Sequence, residues 1–337
     1  MTSDSKSRFS GHDQPEISVV VAIIAGGREA MSACLTALEA GAGSHQLECI
    51  VPYDDRLDGV AELTARFPWA RFVDARSEVD SSHFGDFSRE HHDILRAIGL
   101  RQARGRIVAL LEDHGTPSRD WVEATLEAHR GPEAAIGGAV ENGVDRTLNW
   151  AVYYCDFGRY QNPVPKGEAE FLSDSNVSYK CEALLRVKDR WQDAFHETSV
   201  NWELRRLGER LRLEPRMVVY QTRRGLRLQP ALRERYVWGR SFAGTRATEV
   251  GLARRAVFAV FSFLLPALLT WRVVRQAMAK GQSAGRLLRA LPLILLLETI
   301  WSFGELIGYL TGSAGGPERS SSNGSEKTAD SCAASQS

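Results

Sequence analysis

The stretch "GRIVALLEDHG", residues 105–115, constrains the chain more than any other. Ile107 to Leu111 runs without a polar break, the pattern of a strand covered on both faces, as in parallel sheets. The strand then stops on two carboxylates, Glu112 and Asp113, just before turn chemistry at Gly115 and Pro117. Acids end many strands simply because the turn is solvated. Open α/β sheets, however, bind their ligands beyond the carboxyl ends of strands, and an acid there is placed to hold a metal.

The flanking sequence supplies the rest of such a sheet. "ISVVVAII" (17–24) reads as a buried strand, followed by the helical pattern "REAMSACLTALEAG" with Gly41 as its stop. "LECIVPYDD" (47–55) is a second strand ending in acids, Asp54 and Asp55; "LDGVAELTARFP" is a short helix and "ARFVDA" a third strand. Residues 88–105 have apolar positions near i, i+3, i+4 and i+7, which predicts a helix delivering the chain to the fourth strand. This alternation predicts an open, mostly parallel α/β sheet. Two acid-ended strands, with Arg96 on the intervening helix, point to a phosphate-bearing ligand.

The order of these segments resembles the inverting family-2 glycosyltransferases of the membrane-associated, polysaccharide or glycolipid type. "CIVPYDDRLDG" is similar to their second-strand segment, in which paired aspartates precede a D-G. "ILRAIGLRQARGRIVALLEDHGTPSRDWVEA" is similar to the unit ending in their metal-binding D-x-D motif, here E-D-H, with Pro117 and Trp121 in the expected places. "IGGAVENG", "FLSDSNVSYKCEALLRV" and "FHETSVNWELRRLGERLRL" resemble the later G-G strand, the acceptor-side segment and the E-D helix. The resemblance implies a GT-A fold, an open mixed sheet flanked by helices, over residues 16–225.

It also implies site residues. Asp54, with Asp55 beside it, matches the acid that reads the nucleotide base, and Arg96 the base- and phosphate-side arginine. Asp113 is expected as the main metal ligand, with Glu112 and His114 nearby. Asp174 and Asn176 orient the acceptor or cap a helix. Glu197 matches the general base; His196 stands where the motif's first acid is usual and would orient the carboxylate or acceptor.

This chemistry needs these residue types. Displacing a nucleoside diphosphate leaves charge on the diphosphate, which a hard divalent cation, Mg2+ or Mn2+, offsets through oxygen ligands. The acceptor hydroxyl needs one positioned base for a single inversion at the anomeric carbon. The expected partners are a nucleotide-sugar donor, a UDP-sugar first and a GDP-sugar second, and a lipid-linked or glycan acceptor. A rival reading is a non-catalytic relative within a polysaccharide-assembly complex. A nucleotidyltransferase is disfavoured, because no Gly-rich, Lys- or Arg-bearing phosphate loop follows the first strand.

Charge and hydropathy bear on location. With 42 basic and 42 acidic residues, no global imbalance points to nucleic acid. Five scattered cysteines without a C-x-x-C pair suit a reducing compartment. Residues 1–15 read as a disordered leader, 226–255 as a basic amphipathic linker, 256–311 as membrane-associated hydrophobic helices and 312–337 as a disordered tail. The apolar run 256–271 is short for a span, and 290–310 contains Glu298 and Glu305. The loop between them carries five basic residues, and two spans would set it opposite the arginines before them, in conflict with the positive-inside rule. A strained hairpin, one span plus an interfacial helix, two in-plane helices and a pair of soluble core helices all remain open. Contact with a membrane is preferred, with the catalytic part on the cytoplasmic face of the inner membrane.

Overall fold

The computed structural model describes residues 14–24, 27–79 and 89–313, so the expected leader and tail lie almost wholly outside the described residues. Strands β1 (Ile17–Ala22), β2 (Leu47–Tyr53), β3 (Ala70–Asp74) and β4 (Ile107–Glu112) run parallel, as the alternation predicts. Five more follow: β5 (Gly115–Pro117), β6 (Ala135–Asn142), β7 (Gly167–Glu168), β8 (Asn176–Lys180) and β9 (Leu211–Gln221). Among the described residues these form one sheet in the order β3-β2-β1-β4-β8-β6-β9-β5, with β7 on β9. Strand β8 is antiparallel to both β4 and β6, so the sheet is mixed.

Strand parity explains how β4 can be apolar throughout. Ile107, Ala109 and Leu111 enter one hydrophobic core, whereas Val108 and Leu110 enter the other. Successive side chains on a strand point to opposite faces. Helix α1 (Gly27–Ala42) covers the first face with Met31, Leu35 and Leu38. Short α2 (Val60–Arg66) connects β2 to β3, and α3 (Arg89–Gln102) sends Leu100 into the second core and Leu95 and Ile98 into the first. At Gly99 a Cβ would stand 2.3 Å from Val20 Cγ1, so only glycine lets α3 lie this close to β1. That contact sets the height of every α3 side chain above the strand ends.

Helices α4 (Trp121–Ala128), α5 (Thr147–Phe157), α6 (Cys181–Arg186) and α7 (Glu197–Arg206) complete the α/β part. The expected linker 226–255 is largely a 22-residue helix, α8 (Leu228–Glu249). The first apolar run is broken into α9 (Leu252–Phe261) and α10 (Leu265–Ala279), bent by 67°, with Pro266 in the first turn of α10, where its missing N–H costs nothing. Helix α11 (Ala284–Thr311) has 28 residues and a window of mean hydropathy 1.6, long and apolar enough to cross a membrane.

Helix α11 is nonetheless docked on the rest of the chain. Cβ atoms on Gly239, Gly304 and Gly308 would fall 2.3, 2.4 and 2.5 Å from the carbonyl oxygens of Trp301, Tyr236 and Arg240, so α8 and α11 touch backbone to backbone. Ala151, Tyr153 and Tyr154 of α5 share a third core with Val273, Ala277, Leu287, Ile294 and Leu297. Glu298 and Glu305 are buried in this packing.

Candidate active site

The parity that fills both cores also sorts the acids at the end of β4. Glu112 continues the Val108–Leu110 face, and Asp113 continues the Ile107–Leu111 face beneath α1. Asp113 is fully buried, and its carboxylate accepts the backbone N–H groups of Ile24 (3.1 Å), Gly27 (3.2 Å) and His114 (3.1 Å). It also accepts from His114 Nδ1 at 3.0 Å. Asp113 thus pins the β1–α1 turn and does not line the cavity described below, in contrast to the expected main ligand.

Glu112 and His114 do line that cavity, which has a volume of about 460 Å³. Glu112 Oε1 accepts from Ser175 Oγ (2.8 Å) and Arg96 Nη2 (3.4 Å), while Oε2 accepts from Gln221 Nε2 (3.1 Å). One lone pair remains on Oε2, and His114 Nε2 lies 3.3 Å from that oxygen. With Nδ1 turned to Asp113, Nε2 is the ring nitrogen left on the Glu112 side, the carboxylate–histidine arrangement that orients metal-bound imidazoles. Glu112 and His114 are therefore the residues that would hold a divalent cation, with its other partners supplied by a ligand. Among the described residues no group of three or more His, Cys, Asp or Glu side chains is arranged to hold a metal.

Arg96 projects from α3 into the same cavity, but both of its Nη groups are engaged by acids. It pairs with Asp174 (2.8 Å), Asp93 (3.1 Å) and Glu112 (3.4 Å). Asp174, in the turn before β8, also lies 3.6 Å from Arg89. Burial works against its charge, but Arg96 and Arg89 outweigh it and hold the carboxyl below the ordinary range.

Glu197 opens α7, with Arg89 Nη2 3.5 Å from its Oε2. Burial, reinforced by the Asp174 carboxylate, pushes its carboxyl up to about 7 against the opposing pull of Arg89 and Arg96. His196 is exposed at the helix N-cap position, and its Nδ1 donates to Asp93 at 2.8 Å, which raises the ring above its usual value. His196 does not line the cavity, whereas Glu197 does.

The remaining expected residues lie elsewhere. Asp54 is buried behind the cavity wall, paired with His91 Nε2 at 2.6 Å and accepting the Arg56 amide at 3.1 Å. Burial raises its carboxyl, and these two hydrogen bonds more than reverse that. Asp55 points to solvent, 3.8 Å from Arg76. Asn176 is completely buried: its Nδ2 donates to the carbonyls of Ala139 and Met217, and its Oδ1 accepts from Trp121 Nε1. All its polar atoms tie β8 to β6, β9 and α4, leaving none for an acceptor.

The opposite wall comes from the C-terminal helices, of which sequence reasoning singled out only residues 233–246, as a segment to close over the diphosphate, bind lipid headgroups or serve as a plain linker helix. Trp238 and Phe242 of α8, Leu269 and Arg272 of α10, and Trp301 of α11 all line the cavity. So do buried ion pairs, Arg223 with Glu234 (2.9 Å) and Arg235 with Asp156. The one available signal was the arginine- and aromatic-rich "RERYVWGRSFAGTR".

Residues 89–187, which hold α3, β4, the Glu112–His114 turn and β8, match the family model described as glycosyl transferase family 2. No curated protein matches the chain. Among solved structures it is similar to the mannosyltransferase PcManGT from Pyrobaculum calidifontis in complex with GDP-Man and Mn2+. Identity is 16%, with a TM-score of 0.48 over 89% of this chain and 86% of that one. It is also similar to TarS 1-349 of S. aureus, at 13% identity and a TM-score of 0.44 over 88% and 90% of the two chains. Against the same protein in complex with UDP the values are 14% and 0.42, over 88% and 92%.

Proposed function

We propose, from the match of residues 89–187 to the family model described as glycosyl transferase family 2, that the chain transfers a sugar from a nucleotide-sugar to a hydroxyl of a lipid-linked or glycan acceptor, with inversion. The observation that carries this reading is the pairing of roles around one cavity. Glu197 is a carboxylate poised near neutral pH, and the Glu112–His114 pair offers two donors to a divalent cation. Mg2+ or Mn2+ held there would offset the charge that collects on the departing diphosphate.

The chain's own groups do the rest. Glu197 takes the proton of the acceptor hydroxyl as that oxygen attacks the anomeric carbon. Arg89 and Asp174 hold the Glu197 carboxylate in place and set its proton affinity. Arg96, paired with three acids, orients Glu112 rather than binding phosphate by itself. Asp54 is held in the α3 packing by His91 rather than at the cavity, and UDP-sugars are the first donors to test with GDP-sugars next.

The same reading seats the protein on the cytoplasmic face of a membrane, with its C-terminal helices in plane. Supporting this, a spanning α11 would take with it α8, to which it is joined backbone to backbone and which carries Arg233, Arg235, Arg240 and Arg246. Leu252, Val260, Phe261, Phe263, Leu264 and Trp271 meanwhile stand exposed around the α9–α10 bend. Flotation with vesicles checks the seating, and a chain that stays at the bottom of the gradient removes it.

The catalytic test is Glu197→Gln, which keeps shape and hydrogen bonding but cannot accept a proton. Turnover should fall ~10²–10⁴-fold with the donor dissociation constant unchanged. In the unmodified protein kcat/KM should fall as pH drops through about 7, because Glu197 must be deprotonated to act. Asp174→Asn removes a neighbour that raises that value, so the acid limb should move to lower pH. A limb that stays put in Asp174→Asn, or full turnover in Glu197→Gln, overturns the assignment.

A further inference from the structure

A second cavity, of about 670 Å³, lies between the C-terminal end of α5 and α10. Cys155, Asp156, Tyr160 and Arg272 line both cavities, so the two share a wall. The second is strongly cationic: Arg159, Arg272 and Arg275 face it, and the one acid in its lining, Asp156, is paired with Arg235. Two of the three guanidiniums lie over aromatic rings, Arg159 over Phe171 at 4.7 Å and Arg275 over Trp271 at 4.8 Å. A guanidinium over a ring face is steadied there and keeps N–H groups to recognise an oxyanion.

The helix that supplies these arginines also carries an apolar track. Leu264, Leu268, Trp271 and Arg275 fall at i, i+4, i+7 and i+11, one stripe along a helix. The first three are 62, 54 and 56% exposed, a high exposure for large apolar side chains in a row. Such a stripe ends, at its polar extremity, in the arginine-lined cavity.

Resting on the transferase reading above, we propose that this cavity takes the phosphate group of an amphiphilic acceptor. Its apolar chain follows the α10 stripe, and its accepting hydroxyl reaches the first cavity past Arg272. The charge complements a phosphate or diphosphate, and the adjoining stripe selects one that bears a hydrocarbon chain over free phosphate.

Binding can be read without any donor, on the full chain in neutral dodecyl maltoside micelles. Dodecyl phosphate is titrated in by calorimetry, with inorganic phosphate as the comparison. Dodecyl phosphate should bind and inorganic phosphate should bind at least about 10-fold more weakly. The double variant Arg272→Gln/Arg275→Gln should lose at least about 10-fold in dodecyl phosphate affinity, because two charge-assisted contacts are removed. Arg289→Gln, an exposed arginine outside the cavity, should leave affinity unchanged. Equal binding of inorganic phosphate would make this a simple anion site and overturn the proposal. So would a double variant that binds like the parent, or an Arg289→Gln loss equal to that of the double variant. A chain that binds dodecyl phosphate in this pattern but turns over no sugar donor removes the transferase reading alone. One that turns over donor yet ignores dodecyl phosphate removes this inference alone.

Discussion

Two strands of this sheet end in acid pairs, and the two ends have opposite fates. At β2, Asp54 is sealed against His91, and Asp55 is left in solvent near Arg76. At β4, Glu112 faces the cavity beside His114, and Asp113 is sealed beneath α1. Asp54 and Glu112 sit on the same face of the sheet and both meet α3, one at His91 and the other at Arg96. The difference lies in what else reaches the carboxylate. Asp54 spends both oxygens on a ring nitrogen and a backbone amide, whereas Glu112 is fed by donors yet keeps one lone pair on the side of His114 Nε2. An acid at a strand end becomes a ligand only if its hydrogen bonds leave a lone pair open to the site.

Four substitutions stress this contrast. Glu112→Gln should cost turnover most, about 100-fold or more, because it removes the charge facing the transferring group, while stability falls by only about 1 kcal/mol. Steady-state kinetics alongside thermal melting measure both. Next comes Asp113→Ala, which orphans the buried amides of Ile24, Gly27 and His114 and should cost about 3 kcal/mol of stability. It also frees His114, so activity should drop ~10–100-fold, the usual penalty for losing the group that orients a ligand. A stable Asp113→Ala whose only defect is lost cation binding would restore Asp113 as a direct ligand and break the contrast.

Asp54→Asn should act through stability, by about 1–2 kcal/mol, with turnover nearly intact. Its carboxyl is held below the ordinary value, so its contribution is fully present above the unfolded pKa of ~3.9 and is lost as pH falls through the folded one. Urea unfolding should therefore separate the parent from the variant at neutral pH and bring them together at acid pH. If instead Asp54→Asn melts like the parent but loses donor affinity, β2 ends in a ligand after all. Asp55→Asn should be silent, within about 0.5 kcal/mol and with unchanged rates.

Much of this was legible beforehand. The apolar run of β4, the helix over 88–105 and the acid ends of β2 and β4 are local patterns, and local patterns survive folding. Parity was legible too, since adjacent residues on a strand cannot face the same way. What could not be read was which of Glu112 and Asp113 faces the site, because that depends on which core Leu110 and Leu111 join. The burial of Asn176 depends on carbonyls from β6 and β9 that lie far away in sequence. The second wall of the cavity was hidden for the same reason: Trp238, Arg272 and Trp301 come from helices whose hydropathy advertises lipid rather than substrate.

The core shared by α5 and the C-terminal helices bears on how the chain can be cut. Arg224 looks like the natural place to stop, since the last strand ends at Gln221 and the apolar sequence lies beyond. Stopping there would strip Val273, Ala277, Leu287, Ile294 and Leu297 from Ala151, Tyr153 and Tyr154, uncovering a greasy face on α5. A shortened protein that clumps would then report a torn interior rather than an affinity for lipid. For solubility engineering, the better course keeps every helix and replaces only outward-facing residues such as Val260, Phe261 and Phe263 with polar ones.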